Sequence, residues 1–121
     1  MYILLLAMFR TIGRLAENLA SLVLRKKGFK VLARNRNFFG VEIDFLCQKE
    51  DRYYFIEIKR VKRKHYYAGY PVFPYKQYQR QLNAIETWKA QDNKWYDAVI
   101  GLIVFDENNQ ILSFNPEYIV R

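Results

Sequence analysis

The sequence predicts an α/β fold, one mixed central sheet flanked by helices in the order αβββαββ. Three observations predict it. Two alternating arms, Val41 to Gln48 and Tyr53 to Lys59, flank a short polar break, as the arms of a β-hairpin do. Two segments, Thr11 to Lys27 and Tyr75 to Gln91, repeat apolar residues at helical spacing. Within Tyr96 to Phe105, the run Ala-Val-Ile-Gly-Leu-Ile-Val-Phe is apolar without alternation, as a strand covered on both faces reads.

The chain has 121 residues, room for a single domain with one core. Hydrophobic residues make up 51% and aromatic residues 17%, which excludes a disordered chain. The net charge of +8 points to a polyanionic partner, nucleic acid before an anionic membrane surface. Cys47 has no partner for an internal disulfide and reads as a buried, reduced thiol of a cytoplasmic protein. No Cys/His cluster has zinc spacing, and the single histidine, His65, is assigned to a polar loop without a catalytic role.

Residues 1–10 are read as an N-terminal extension, with Met8 an alternative start. The apolar stretch Met1 to Phe9 is too short to span a bilayer, which takes about 20 residues, and it lacks the basic start of a secretory signal. Stable membrane association is therefore not expected, although a membrane-touching N-terminus is the competing reading. Thr11 caps the first helix, with Ile12, Leu15, Ala16, Leu19, Leu22 and Val23 on its apolar face. Lys26 and Lys27 suit the helix dipole, and Gly28 suits the position after the C-cap. A short strand follows from Phe29 to Ala33, then a loop from Asn35 to Gly40. Pro74 introduces the second helix, whose stripe is Tyr78, Leu82, Ile85 and Trp88, and Asp92-Asn93 ends it. The turn Asp106-Glu107-Asn108-Asn109 connects the apolar strand to a returning strand from Gln110 to Phe114.

The hairpin carries the chemistry. A symmetric turn centred on Glu50-Asp51 pairs positions whose numbers sum to 101, which sets Asp44 opposite Glu57 and Glu42 opposite Lys59. Like charges directly opposite are destabilising, so a cation between Asp44 and Glu57 is expected. Carboxylates with the main-chain carbonyl of Ile58 form a hard-oxygen set that suits Mg²⁺ or Mn²⁺. Such an ion polarises a phosphate and lowers the pKa of water, while Lys59 positions that water or offsets charge on phosphorus oxygens. The competing reading is a surface hairpin with a Glu42–Lys59 pair worth a few tenths of a kcal/mol. By position alone, Glu17 is a solvated acid in the early turns of a helix.

From Ile58 to Ile85 there is no acidic residue. This window holds Lys59, Arg60, Lys62, Arg63, Lys64, Lys76 and Arg80, interleaved with Tyr66, Tyr67, Tyr70, Phe73, Tyr75 and Tyr78. Positive charge leading into a tyrosine-rich loop fits phosphate contacts plus surfaces for base stacking. A solvated charge run, with tyrosines covering the core, is the alternative. Lys76 and Arg80 lie one turn apart near a helix N-terminus, where free amides also favour anions.

The sequence resembles the YraN-like family of small bacterial proteins, within the restriction-endonuclease-like PD-(D/E)xK superfamily and close to Holliday-junction resolvases. The resemblance runs from about Gly13 to Ile100. It rests on Gly13-Arg-Leu-Ala16-Glu17, the Lys-Lys-Gly-Phe-Lys-Val-Leu-Ala-Arg-Asn run at 26–35, Glu42-Ile43-Asp44, Ile56-Glu57-Ile58-Lys59, Lys76 with Gln77, and Tyr96-Asp97-Ala98-Val99. Val41 departs from the family's glycine, and Arg60-Val61-Lys62 from its Thr-Arg. The resemblance implies a restriction-endonuclease-like core and a metal-dependent DNA endonuclease, with branched or structured DNA as a candidate substrate. It implies Asp44, Glu57 and the Ile58 carbonyl as metal ligands, Lys59 as the catalytic lysine, and Glu17 as an assisting acid. Arg60, Lys62, Arg63, Lys64, Lys76, Gln77 and Arg80 are the expected nucleic-acid contacts. Junction-cleaving relatives are dimers, which makes a homodimer part of the expectation. The rival expectation is a catalytically silent nucleic-acid-binding module of a DNA repair or uptake complex.

Overall fold

A computed structural model describes residues 2–91 and 97–119, with side chains from residue 14 onward. A helix α1 (Tyr2–Lys26) leads into strands β1 (Lys30–Phe38), β2 (Val41–Lys49) and β3 (Arg52–Arg60). Helices α2 (Arg63–Tyr67) and α3 (Tyr75–Gln91) then cross over to β4 (Asp97–Phe105), and β5 (Ile111–Asn115) returns beside it. The strands form one sheet in the order β1-β2-β3-β4-β5, antiparallel except for the central parallel pair β3 and β4. A parallel pair needs a crossover, and α2 with α3 supplies it.

The helices cover opposite faces. Ala16, Ala20 and Leu24 of α1 pack on Phe45, Cys47, Ile56, Ile103 and Phe105. Ala84 and Ile85 of α3 pack with Leu46, Phe55, Ile100, Leu102 and Val104. The alternation of Phe55 with Ile56 and of Leu102 with Ile103 divides β3 and β4 between the two clusters. Cys47 is buried and free, as its place in an alternating strand predicts.

The expected register of the β2–β3 hairpin is observed. Lys49 pairs with Arg52, Leu46 with Phe55 and Phe45 with Ile56, every pair summing to 101. Glu50, at φ 56, makes the two-residue turn. The second helix occupies Tyr75–Gln91 as read from the sequence, and its proposed end at Asp92-Asn93 lies outside the described residues. Gly28 has φ 89, and the amides of Gly28 and Phe29 donate to the carbonyls of Arg25 and Leu24 at 3.0 and 2.9 Å. That is a Schellman ending, with Leu24 and Phe29 meeting in the core.

Four details differ from the sequence reading. The first helix begins at Tyr2 rather than at a Thr11 cap; nothing before Gly13 breaks a helix, and Leu, Ala and Met favour one. Its buried face is Ala16, Ala20 and Leu24, while Leu15 and Leu22 are exposed, because small residues one turn apart allow close approach to the sheet. The first strand reaches Phe38, where a loop was expected; Phe39 and Gly40, at φ 50 and 83, make a tight turn of the I′ type. A short helix α2 occupies the basic segment, where a loop was expected, so the order is αβββααββ.

Alternation along β2 also fails at one point. Val41 and Ile43 join the cluster beneath α3 and do not share the face of Phe45 and Cys47. Asn35 lies between Arg34↔Phe45 and Arg36↔Ile43, hence opposite Asp44, and has φ 49. A left-handed residue there breaks the pleat and adds local twist.

Candidate active site

The β2–β3 ladder ends at Phe45↔Ile56, one position before Asp44 and Glu57. There the backbone bond is replaced: the Ile58 amide donates to Asp44 Oδ2 at 2.8 Å. The N–H and C=O of one strand residue leave on the same side, so the Ile58 carbonyl also faces the β2 side. Glu57 is buried beneath α3. Gln81 Nε2 donates to its Oε2 at 2.8 Å, and Gln77 Nε2 to its Oε1 at 3.0 Å. The Gln77 oxygen in turn accepts from Lys59 Nζ at 2.7 Å, and Lys59 Nζ stands 3.8 Å from Glu57 Oε1. Lys59 Nζ also sits over the Phe73 ring, 5.7 Å from its centroid.

The electrostatics follow from burial. Desolvation, then the nearby Glu57 charge, pushes the Asp44 carboxyl up from 3.8 to about 7, against the Ile58 amide that lowers it. Burial also raises Glu57, opposed by Gln81, Lys59 and Gln77. Burial thus works against ionisation of both acids. Lys59 pairs with Glu57, and among the described residues no ion pair reaches Asp44, so its charge goes uncompensated when it ionises.

That shortfall fits a divalent cation. Gln77 and Gln81 take one lone pair on each Glu57 oxygen and leave the others. Among the described residues, no three His, Cys, Asp or Glu side chains form a metal-binding group. The oxygens that could face a cation here are those of Asp44 and Glu57 and the Ile58 carbonyl. Mg²⁺ tolerates so few protein ligands because it keeps waters and takes phosphate oxygens.

Glu17 stands at the edge of this cluster. Asn35 Nδ2 donates to its Oε2 at 3.0 Å, and Arg34 Nη2 lies 3.8 Å away. Its charge contributes, as the smallest cause, to the rise of Asp44. Asp44, Glu57, Ile58, Lys59 and Gln77 are thus brought together, with Glu17 nearby.

The basic residues divide into two groups. Arg60 and Arg63 are tied to the β4–β5 turn. Arg60 Nε donates to Asn109 Oδ1 at 3.1 Å and its Nη2 to the Glu107 main-chain oxygen. Arg63 Nε and Nη2 donate to Asp106 Oδ2 at 3.1 and 2.9 Å. Asp106 is fully covered, and the Gln110 amide, then the Arg63 side chain, lowers its carboxyl below the usual range. Lys62, Lys64, Lys76 and Arg80 are exposed. Lys76 and Arg80 line one shallow surface with Tyr75 and Gln79.

Sequence reasoning missed Gln81 and Asp106. Gln81 had a signal, because it lies one turn beyond Gln77, next to Leu82 in the apolar stripe. The Arg63–Asp106 pair spans 43 positions and no local pattern marks it.

A mixed sheet with an acid pair and a lysine on adjoining strands, helices covering both faces, defines a restriction-endonuclease-like α/β protein. Within that class the chain belongs to the Uncharacterised protein family UPF0102, whose model matches residues 16–104; this is the YraN-like family that its motifs resemble. A UPF0102 protein of Haemophilus influenzae strain PittGG is 24% identical over 110 residues, 88% of this chain and 92% of that protein. A UPF0102 protein of Syntrophomonas wolfei is 44% identical over 52 residues, 43% of this chain and 45% of that protein. The match thus spans less than half the length of the Syntrophomonas protein. A UPF0102 protein of Carboxydothermus hydrogenoformans is 44% identical over 50 residues, 41% of this chain and 42% of that protein.

Proposed function

We propose that the protein is a divalent-cation-dependent DNA endonuclease that hydrolyses phosphodiester bonds, with branched or structured DNA as its substrate class. The observation that carries this reading is the Asp44–Glu57 pair, two neighbouring acids drawn out of water, with Lys59 3.8 Å from Glu57. Asp44, Glu57 and the Ile58 carbonyl would hold Mg²⁺ or Mn²⁺. A bound cation supplies Lewis-acid polarisation of the scissile phosphate.

The remaining work falls to the chain. The Ile58 amide fixes the orientation of Asp44, and Gln77 and Gln81 fix that of Glu57. Lys59 Nζ offsets charge developing on the phosphoryl oxygens, or orients the water that attacks phosphorus as the bond to the leaving oxygen breaks. Glu17 assists at the solvent side. Lys62, Lys64, Lys76 and Arg80 hold the backbone, and Arg60 and Arg63 anchor α2 to the turn behind it.

A second reading, a non-cleaving DNA-binding module of a repair or uptake complex, draws on one contact. Lys59 Nζ donates to Gln77 at 2.7 Å and lies over Phe73, which leaves only part of its donor capacity for a substrate. The test is incubation with labelled single-stranded, duplex and four-way-junction DNA in Mn²⁺ and in EDTA. Cuts that require Mn²⁺ support the endonuclease. Retention of DNA without cuts in any arm supports the binding module.

Among the described residues, no helix is long and apolar enough to cross a membrane. The homodimer and the cytoplasmic location are part of the proposal and are tested by sedimentation and by fractionation.

A further inference from the structure

A cleft of about 400 Å³ opens beside the acid cluster, walled by Tyr66, Tyr70 and Tyr118. Leu102 and Val104 form its floor. In the parallel register, Leu102 lies beside Glu57 and Val104 beside Lys59. All four share the α3 face of the sheet, so the floor is one strand spacing, about 4.8 Å, from the acid and the lysine. The wall is continuous with the lysine as well. Lys59 Nζ lies over Phe73, and Phe73 stacks on Tyr118 at 5.5 Å with 22° between the rings. An adjoining cleft of about 280 Å³ shares Tyr66 and Tyr70 and brings Arg60, Lys62 and His65 to the rim.

We propose that this cleft holds one unpaired base of single-stranded DNA, next to the phosphate at the acid cluster. The inference rests on the nucleic-acid reading above and narrows its substrate to DNA with an unpaired nucleotide at the cut. Small-ligand sites are concave and mostly apolar, with a few polar groups for orientation. Here Ser113 and Asn115 are the polar groups. A base offers a flat face for tyrosine, while the exposed Lys62 at the rim meets a flanking phosphate. Tyr70 is 57% exposed, too open for a core role. It stacks with His65 at 4.7 Å and 15°, which extends the flat surface. A base inside a duplex has both faces stacked and its edge paired, so it enters only at the cost of unstacking and unpairing, about a few kcal/mol.

The test is fluorescence anisotropy in EDTA, which reads binding without cleavage. The probes are a labelled oligothymidylate and an abasic oligonucleotide of equal length and equal phosphate number. The wild-type protein binds the thymidine strand about tenfold more tightly, the scale of one base stacked on an aromatic ring. Tyr70→Ala and Tyr66→Ala each reduce that preference to about twofold or less and leave abasic binding unchanged. Equal wild-type affinity for both strands overturns this proposal and leaves the endonuclease reading standing. Tyrosine variants that weaken both probes in parallel also overturn it, since the rings would then serve the fold. Binding to neither probe overturns the DNA reading and this proposal together.

Discussion

Gln81 Nε2 stands 2.8 Å from Glu57 Oε2, and both side chains are buried. The bond supports the ionised form of Glu57 where burial leaves it little water. Gln81→Leu keeps an apolar fit but removes the donor. An unsatisfied buried acceptor costs about 1–3 kcal/mol. The loss should appear in urea unfolding at pH 8 and disappear in acid, where Glu57 takes a proton. An unchanged midpoint at both pH values would refute this role for Gln81.

The Asp44 carboxyl sits near 7 in the folded protein against 3.8 for the free group. The folded state therefore binds the extra proton between those values, and stability falls as pH rises from about 4 to about 7. The cost is on the order of a few kcal/mol by pH 8. Asp44→Asn, which carries no charge to bury, should flatten this slope and be more stable than the wild type at pH 8 without metal. A wild-type stability that climbs steadily over this range would contradict the arrangement.

A divalent cation competes with that proton. Mn²⁺ should raise the melting temperature more at pH 8 than at pH 6, and EDTA should reverse the gain. At a hundredfold excess over Kd, a ligand specific to the folded state adds about 2.7 kcal/mol. Asp44→Asn and Glu57→Gln should lose most of the shift. Equal shifts in wild type and both variants would assign Mn²⁺ to some other part of the surface.

The free lysines and the tied arginines should differ in salt dependence. If Lys62, Lys64, Lys76 and Arg80 each neutralise one phosphate of a duplex, log K against log salt has a slope of about −3.6. Lys62→Ala and Lys64→Ala should each reduce that slope by about 1. Arg63→Ala should change it less, because the Asp106 carboxylate already offsets the guanidinium, and should instead lower the melting temperature by loosening α2. A slope near zero for the wild type would contradict phosphate contact altogether.

Much of this was legible locally. The sum of 101 follows from a symmetric polar break and holds from Lys49↔Arg52 to Phe45↔Ile56, which leaves Asp44 and Glu57 just beyond the last pair. The extent of α3, Tyr75–Gln91, follows from Pro74 and the apolar stripe. What was missed depends on through-space packing or on unusual backbone. Asn35 reads as a loop residue, and only its left-handed φ of 49 lets β1 continue through it to Phe38. Ala16 and Ala20 count little in an apolar stripe, yet they decide which face of α1 is buried. Gln81 is buried because it donates to Glu57, a partner 24 positions away that no local pattern marks.

The central claim is that Asp44 and Glu57 form a cation-dependent cutting site. Its most direct test is end-labelled DNA cleavage by wild type and Glu57→Gln, prepared in parallel, with binding of the same DNA measured in EDTA. The wild type should make Mn²⁺-dependent cuts, the variant should lose at least about a hundredfold, as removal of one electrostatic transition-state contact costs, and both should bind equally. Undiminished cleavage by Glu57→Gln would contradict it.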